Sequence, residues 1–151
     1  MTAAEWWLEL WAVPAALGFA VLFNVPPRSL AACCLLALIG HVARKLVMVA
    51  GADLVLATLL AGGVIGFLAR LWAARLGVTP AVFSVSAAIP LVPGTLLYKA
   101  VHALLLIVST GGSASLLVDA GTHAVRGGLT VMALALGIVA PLLLRPLPTS
   151  H

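Results

Sequence analysis

The stretch IPLVPG, residues 89–94, lies in the middle of an apolar segment that runs from about Ala81 to Thr110. Pro90 and Pro93 each lack a backbone N–H and clash with the carbonyl four residues earlier, and Gly94 follows directly. The stretch therefore predicts a break in a helix. In a bilayer the freed backbone groups need partners in protein or in a water-filled cavity, so a break at membrane depth is a candidate binding site.

The composition places this segment in a membrane protein. Of 151 residues, 64% are hydrophobic and 8% are charged, and the mean hydropathy is +1.24. Soluble domains contain about 45–50% apolar and about 25% charged residues. A span needs roughly 20 apolar residues, so the sequence predicts an all-α integral membrane protein with about five transmembrane helices. Residues 1–151 would form a single transmembrane domain without a separate soluble domain.

Turn signals divide the chain into these spans. The paired prolines at 26–27, the Gly51-Ala52-Asp53 turn, a Gly-Pro-containing turn at 76–80 and a small-residue loop at 111–115 separate apolar runs. Within the third run Thr58, Gly62 and Gly66 recur every four residues, which predicts close helix packing. The predicted spans are 6–23, 30–50, 54–72, 81–110 with its break, and 125–144.

Other features of the composition exclude alternative classes. The N-terminus has no Lys or Arg before Arg28, which argues against a secretory signal, so the first apolar segment is expected to stay in the mature protein. Cys33 and Cys34 are adjacent and surrounded by Ala and Leu, which favours packing residues over a disulfide framework or a metal pair. The net charge of +4 comes from scattered basic residues. Membrane topology explains them better than nucleic-acid binding does.

Polar residues interrupt the second span at His41, Arg44 and Lys45. Spacings of three and four residues put all three on one side of a helix. A charge near the bilayer centre costs roughly 2.5–3.5 kcal/mol, which favours a partner, a cavity or a route by which the side chain reaches the surface. Two interpretations stay open for the cations: they mark a helix end, or they line a site. His41 lies one turn deeper.

A second polar face follows the break. Thr95, Tyr98, Lys99 and His102 recur at helical spacing on an otherwise apolar helix. Interfacial anchoring of the tyrosine and snorkelling of the lysine explain each residue singly, but they explain the set less well.

The distribution of basic residues favours an N-terminus outside and a C-terminus in the cytoplasm. The cytoplasmic parts would then carry Arg28, Arg70, Arg75 and Arg145. The external connections would hold Asp53 and Asp119, with only Arg126 against the rule.

Three motifs together resemble the threonine/serine exporter (ThrE) family: FNVPPR at 23–28, Gly40-His41 with Arg44, and IPLVPG at 89–94 with Tyr98. The resemblance is to the C-terminal membrane half, which also occurs as the YjjB-type small subunit of a split exporter. It implies export of threonine, serine or a dicarboxylate such as succinate across the bacterial inner membrane. It also implies a larger membrane subunit as partner, with the two halves running in opposite directions.

The helix that starts after Pro93 presents N–H groups and the positive end of a helix dipole, which suit a carboxylate. The hypothesis places the substrate carboxylate at Gly94-Thr95, with charge from His41 and Arg44 or Lys99, and with Tyr98 closing the site. The candidate substrate-binding residues are Pro90, Pro93, Gly94, Thr95, Tyr98, Lys99, His41 and Arg44. His41 and His102 could couple transport to protons, but no acidic residue is expected at mid-span.

Two other classes compete with a transporter. An enzyme would need a nucleophile, base or metal constellation, and the chain has no HExxH, GxSxG or paired intramembrane carboxylates, so no catalytic residue, metal or cofactor is predicted. A non-transporting scaffold subunit is the stronger alternative. It predicts that His41, Arg44 and the face from Thr95 to His102 are buried and fully paired within the chain.

Overall fold

A computed structural model describes residues 7–111 and 113–143. Trp6 and Leu144, the outer bounds of the first and last predicted spans, lie outside the described residues, as do the first residues of the N-terminus and Arg145. The described part contains helices and connecting turns and no strand. This confirms the predicted all-α class.

Six α-helices follow one another along the described part of the chain. A 3₁₀ turn, Leu8–Trp11, leads into α1, Ala12–Leu22, and α2 covers Pro27–Val49. Next come α3, Leu54–Leu76, and α4, Pro80–Ala88, which is followed by a 3₁₀ turn, Ile89–Leu91. The last two helices are α5, Gly94–Thr110, and α6, Ala114–Leu142.

Local sequence explains where these helices begin and end. Pro27 and Pro80 occupy first-turn positions, where a missing N–H has no cost. The Asp53 carboxylate caps α3 by accepting the Val55 N–H at 3.0 Å. Gly77 ends α3 with φ +62°, a left-handed conformation that glycine adopts without strain. The IPLVPG stretch breaks the fourth predicted span between α4 and α5, as expected.

Two boundaries differ from the sequence-based prediction. Helix α3 ends at Leu76 rather than near residue 72, so Arg70 lies inside the helix and donates to the Pro141 carbonyl at 3.2 Å. Helix α6 begins at Ala114 rather than near residue 125. The Ser113 hydroxyl accepts the Leu116 N–H at 3.3 Å and caps it. Isolated polar residues such as Asp119 are compatible with a helix that already has a cap.

The length and hydropathy of α2, α3 and α6 suffice for a membrane crossing, and α4 with α5 passes the same test as one broken span. The apolar helix over Glu9–Leu22 is shorter than these candidate spans. Among the described residues, three helices and the broken pair can cross a membrane by length and composition, and the shorter first helix brings the number of apolar segments to the predicted five, with the fourth broken.

The contacts divide the chain into two units. The first contains the chain up to Leu91 together with the residues from Ala133 onward, and the second contains Val92–Met132. The core of the first unit is built mostly from small side chains, with Leu36, Ile65 and Phe83 among its largest buried members. Cys33 is buried and free in this core, in agreement with its prediction as a packing residue.

The glycine stripe of α3 lets it approach the end of α6 within the first unit. A Cβ on Gly62 would lie 2.8 Å from the Leu134 carbonyl oxygen, and one on Gly66 would collide with the Ile138 carbonyl. A Cβ on Gly137 would in turn collide with the Leu59 carbonyl. Backbone therefore meets backbone along this contact, which confirms the predicted close packing.

Candidate functional site

The site lies at the depth of the helix break in the first unit. His41 is 14 residues after the start of α2 at Pro27, and Leu91 is 11 residues after the start of α4 at Pro80. At 1.5 Å per residue these positions are about 21 and about 16 Å from the two helix starts. Positions at these distances from a membrane surface would lie inside the hydrocarbon core, which is about 30 Å thick.

An ion-pair cluster forms here around Glu9. Its carboxylate oxygens lie 3.0 Å from His41 Nδ1 and 3.2 Å from Lys45 Nζ. The side chains of Glu9, His41 and Lys45 are 19%, 11% and 13% exposed, so the cluster is largely withdrawn from the surface of the chain. A lysine that only marked a helix end would reach outward. Lys45 instead meets an acidic partner, as expected for a charge within a membrane segment.

Arg44 contacts the break itself. Its Nη1 donates a hydrogen bond of 3.0 Å to the Leu91 carbonyl, at the end of the 3₁₀ turn. The backbone is irregular at this point because Pro93 cannot donate to the preceding turn. The guanidinium thus provides the protein partner that a carbonyl at membrane depth needs. Two separate features of the sequence, the basic turn of α2 and the proline-glycine stretch, meet at this hydrogen bond.

The second ring nitrogen of His41, Nε2, has incomplete hydrogen bonding. Nε2 is buried and has no hydrogen-bond partner of acceptable geometry among the described residues, although the Pro90 backbone interacts with the ring. A histidine that serves only to fill a core normally has both nitrogens satisfied. A buried ring nitrogen whose only neighbour of this kind is the Pro90 backbone favours a role in binding a ligand or a proton.

The remaining predicted site residues belong to the second unit. Pro93 is buried, and Gly94, Thr95, Tyr98 and Lys99 are exposed. The Tyr98 ring stacks on His102 with a centroid distance of 5.8 Å, and 69% of Tyr98 is exposed. The prediction that these residues join His41 and Arg44 around one substrate stays a prediction.

The start of α5 is partly occupied by its own backbone. The Gly94 N–H donates to the Val92 carbonyl at 2.8 Å, and the N–H groups of Leu96 and Leu97 donate to Pro93 at 3.0 and 3.2 Å. An anion bound here would have to compete with these carbonyls. Gly94 has no left-handed conformation, and a Cβ on it would meet no atom within 4 Å.

Sequence analysis does not single out Glu9, which lies near the start of the first predicted span. A usable signal is present: Glu9 precedes the end of α1 at Leu22 by 13 residues, and His41 follows the start of α2 at Pro27 by 14. In an antiparallel pair joined by a short turn, such positions lie side by side.

These features define a polytopic helical membrane protein with a broken helix and an ion-pair cluster beside the break, an arrangement typical of secondary transporters. The sequence profile described as "Threonine/Serine exporter, ThrE" matches residues 9–144. The chain therefore belongs to the threonine/serine exporter family, and the matched range includes Glu9 and both halves of the broken span.

A curated relative from Haemophilus influenzae, named only as an uncharacterized protein, is 37% identical over 135 residues. The match covers 89% of this chain and 46% of that relative, so the chain spans about half the length of the relative. No solved structure matches the chain.

Proposed function

We propose that this chain is one half of a secondary transporter that exports a small carboxylate-bearing metabolite across the bacterial inner membrane. Threonine, serine and a dicarboxylate such as succinate are the substrates to test. The observation that carries the proposal is the cluster of buried His41 and partly buried Arg44 and Lys45 at the helix break, in which His41 Nε2 has only a backbone contact with Pro90 among the described residues. Membership of the exporter family supports it.

The chemistry of the cluster suits a carboxylate. Arg44 has a planar guanidinium that can bind two carboxylate oxygens at once. Among the described residues, its hydrogen bond runs from Nη1 to the Leu91 carbonyl, so its other N–H groups can donate to a substrate. Lys45 adds a second positive charge. Because this part of the chain is largely withdrawn from its surface, charge-assisted contacts are stronger here than in water. Pro90 and Pro93 maintain the break that exposes the Leu91 carbonyl to Arg44.

The second unit is proposed to complete the pocket. Thr95 and Tyr98 offer hydroxyl groups and Lys99 offers a charge, all on exposed positions of α5. The start of α5 at Gly94-Thr95 remains our proposed contact for the carboxylate, in competition with the backbone carbonyls that already accept there. A hydroxyl-bearing or amino-bearing substrate could use the same polar face, which is why threonine and succinate are both retained.

The proposed partner is a larger membrane subunit of the same family. The chain corresponds to about half of its relative, and α5 leaves a lysine, a tyrosine and a histidine on a membrane helix without cover from its own unit. With the N-terminus outside and the C-terminus in the cytoplasm, an odd number of spans would orient two such halves in opposite directions.

A scaffold subunit without its own substrate site is the alternative. One observation favours it: Lys45 and His41 already pair with Glu9, and Arg44 already has an acceptor. The exposed polar face of α5 favours the transporter instead, because a scaffold that completes its own packing has no need of it.

The decisive experiment measures export by the Arg44→Ala and Lys99→Ala variants, with Arg75→Ala as the matched control. Arg75 is exposed near the end of α3 and contacts neither cluster nor break. Each variant is expressed with the larger subunit, and its membrane insertion is confirmed. A charge-assisted contact contributes about 1.5–3 kcal/mol, so we expect export to fall at least about tenfold for Arg44→Ala and to stay normal for Arg75→Ala.

Export at the normal rate by both Arg44→Ala and Lys99→Ala would remove these residues from the pocket and favour the scaffold. The assays should use a panel of amino acids and dicarboxylates, since the pocket is proposed to be shared between two subunits. A chain that purifies alone as an active transporter would contradict the half-transporter proposal.

A further inference from the structure

Glu9 holds the cations that a substrate carboxylate would need. One of its oxygens contacts His41 and the other contacts Lys45, so a single carboxylate engages two donors of the proposed pocket at once. It is therefore chemically equivalent to a carboxylate ligand already seated in the site. A substrate carboxylate must share these donors with Glu9 or replace it.

We propose that Glu9 is a built-in competitor of the substrate carboxylate, and that protonation of Glu9 frees Lys45 and His41 for the substrate. This inference rests on the function proposed above and assigns the residue through which protons control it. The step forms one O–H bond, on a Glu9 oxygen, with a proton from water on the side to which the site is open. The ion pairs with Lys45 and His41 then break, and the substrate carboxylate takes their place.

The groups around Glu9 support this exchange. Of the helices packed against its 3₁₀ turn, α1 carries no titratable side chain, and α2 contributes His41, Arg44 and Lys45. Arg28 and the two cysteines of α2 lie at least seven residues, about 10 Å along the helix, before His41. Glu9 is thus the acidic member of the cluster among the described residues.

Two carboxylates that compete for one set of donors cannot both remain ionised at low cost. Placing like charges together in a site shielded from water favours the protonated form of one of them. Binding of a substrate carboxylate should therefore take up a proton. The same linkage makes apparent affinity fall as pH rises, by up to about tenfold per pH unit for one coupled proton.

The test is exchange of labelled substrate across proteoliposomes that contain the chain with its larger subunit, using succinate and threonine as probes. Apparent affinity is measured from about pH 4 to about pH 8.5, a range that includes ordinary carboxyl titration at about 4.3 and imidazole titration at about 6.5. For the wild-type chain we expect affinity to fall as pH rises. Glu9→Gln retains the shape of the side chain without its charge, so its apparent affinity should fall less steeply with rising pH than that of the wild type, leaving only the contribution of His41.

Asp119→Asn is the matched control. It also removes one carboxylate, but Asp119 is exposed on α6 in the second unit, so its pH profile should follow the wild type. A Glu9→Gln variant with the wild-type pH dependence would overturn the inference and leave the proposed function standing. A wild-type complex that exchanges neither probe would contradict the proposed function itself, and the role of Glu9 would fall with it.

An infrared measurement on the wild-type complex covers the case in which Glu9→Gln does not fold. Addition of carboxyl-¹³C-labelled succinate or threonine should produce the C=O band of an unlabelled, protonated carboxylic acid. The isotope separates the substrate's own carboxyl bands from those of the protein. Binding without a new protein carboxylic acid band would also overturn the inference.

Discussion

In the first unit the charged residues of α2 find partners, whereas in the second unit the polar residues of α5 lie exposed. His41, Arg44 and Lys45 contact a carboxylate or a backbone carbonyl within their own unit. Tyr98 and Lys99 face outward from theirs. Both groups are flanked by apolar sequence and belong to segments long enough to cross a membrane.

The two units also differ in the size of the side chains that they bury. The first unit buries Leu36, Ile65, Phe83 and Leu91 completely and brings helix backbones into contact. Apart from Thr130 and Pro93, the second unit buries only alanines and Gly127 among its described residues. The first unit therefore has the interior of a finished helical bundle. The second unit leaves most of its described side chains exposed, and the partner proposed above is expected to cover some of them.

The largest expected effect tests the close packing of helix backbones in the first unit. Gly66→Ala places a Cβ against the Ile138 carbonyl, a backbone atom that cannot move aside without shifting a helix. Overpacking of this kind costs about 1–3 kcal/mol, and here we expect the upper end. The measurement is unfolding of the purified chain in mixed detergent micelles.

Gly18→Ala is its control, since a Cβ on Gly18 of α1 would meet no atom within 4 Å. Equal stability of the two variants would show that α3 and α6 do not touch along the glycine stripe. The contrast between a tightly packed first unit and an open second unit would then lose its basis.

The next largest expected effect tests whether the exposed polar side chains of the second unit contact a partner. Tyr98→Ala and Lys99→Ala remove exposed side chains, so the stability of the isolated chain should change by no more than about 0.5 kcal/mol. Co-purification with the larger subunit should fall instead, because a tyrosine and a lysine removed from an interface commonly cost more than about 1 kcal/mol of binding. Leu105→Ala, also on α5 and 62% exposed, is an apolar control. Normal assembly of the Tyr98 and Lys99 variants would place the partner on another face.

Sequence alone predicts the features that depend on local chemistry. Proline and glycine positions determine the helix break and most helix ends, and the stripe at Thr58, Gly62 and Gly66 indicates the closest helix contact. The early start of α6 escapes sequence reasoning because Asp119 and its polar neighbours are typical of a loop, although a helix with a serine cap accommodates them. Glu9 escapes it because its pairing depends on the register between α1 and α2. Such a register is a tertiary property, and helical periodicity within either segment does not contain it.

A substitution at Gly94, close to the point in the sequence where the second unit begins, is expected to stabilise the chain slightly instead of destabilising it. Its φ angle is not left-handed and a Cβ on it would have no neighbour within 4 Å, so Gly94→Ala should fold normally and gain up to about 1 kcal/mol from helix propensity. If export nevertheless falls severalfold, the glycine is needed because a substrate or partner approaches the start of α5 closely. Gly128→Ala, on α6 and equally free of neighbours, should leave export unchanged. Normal export by Gly94→Ala would instead confine the carboxylate to the basic cluster of the first unit, and the start of α5 would serve only to break the span.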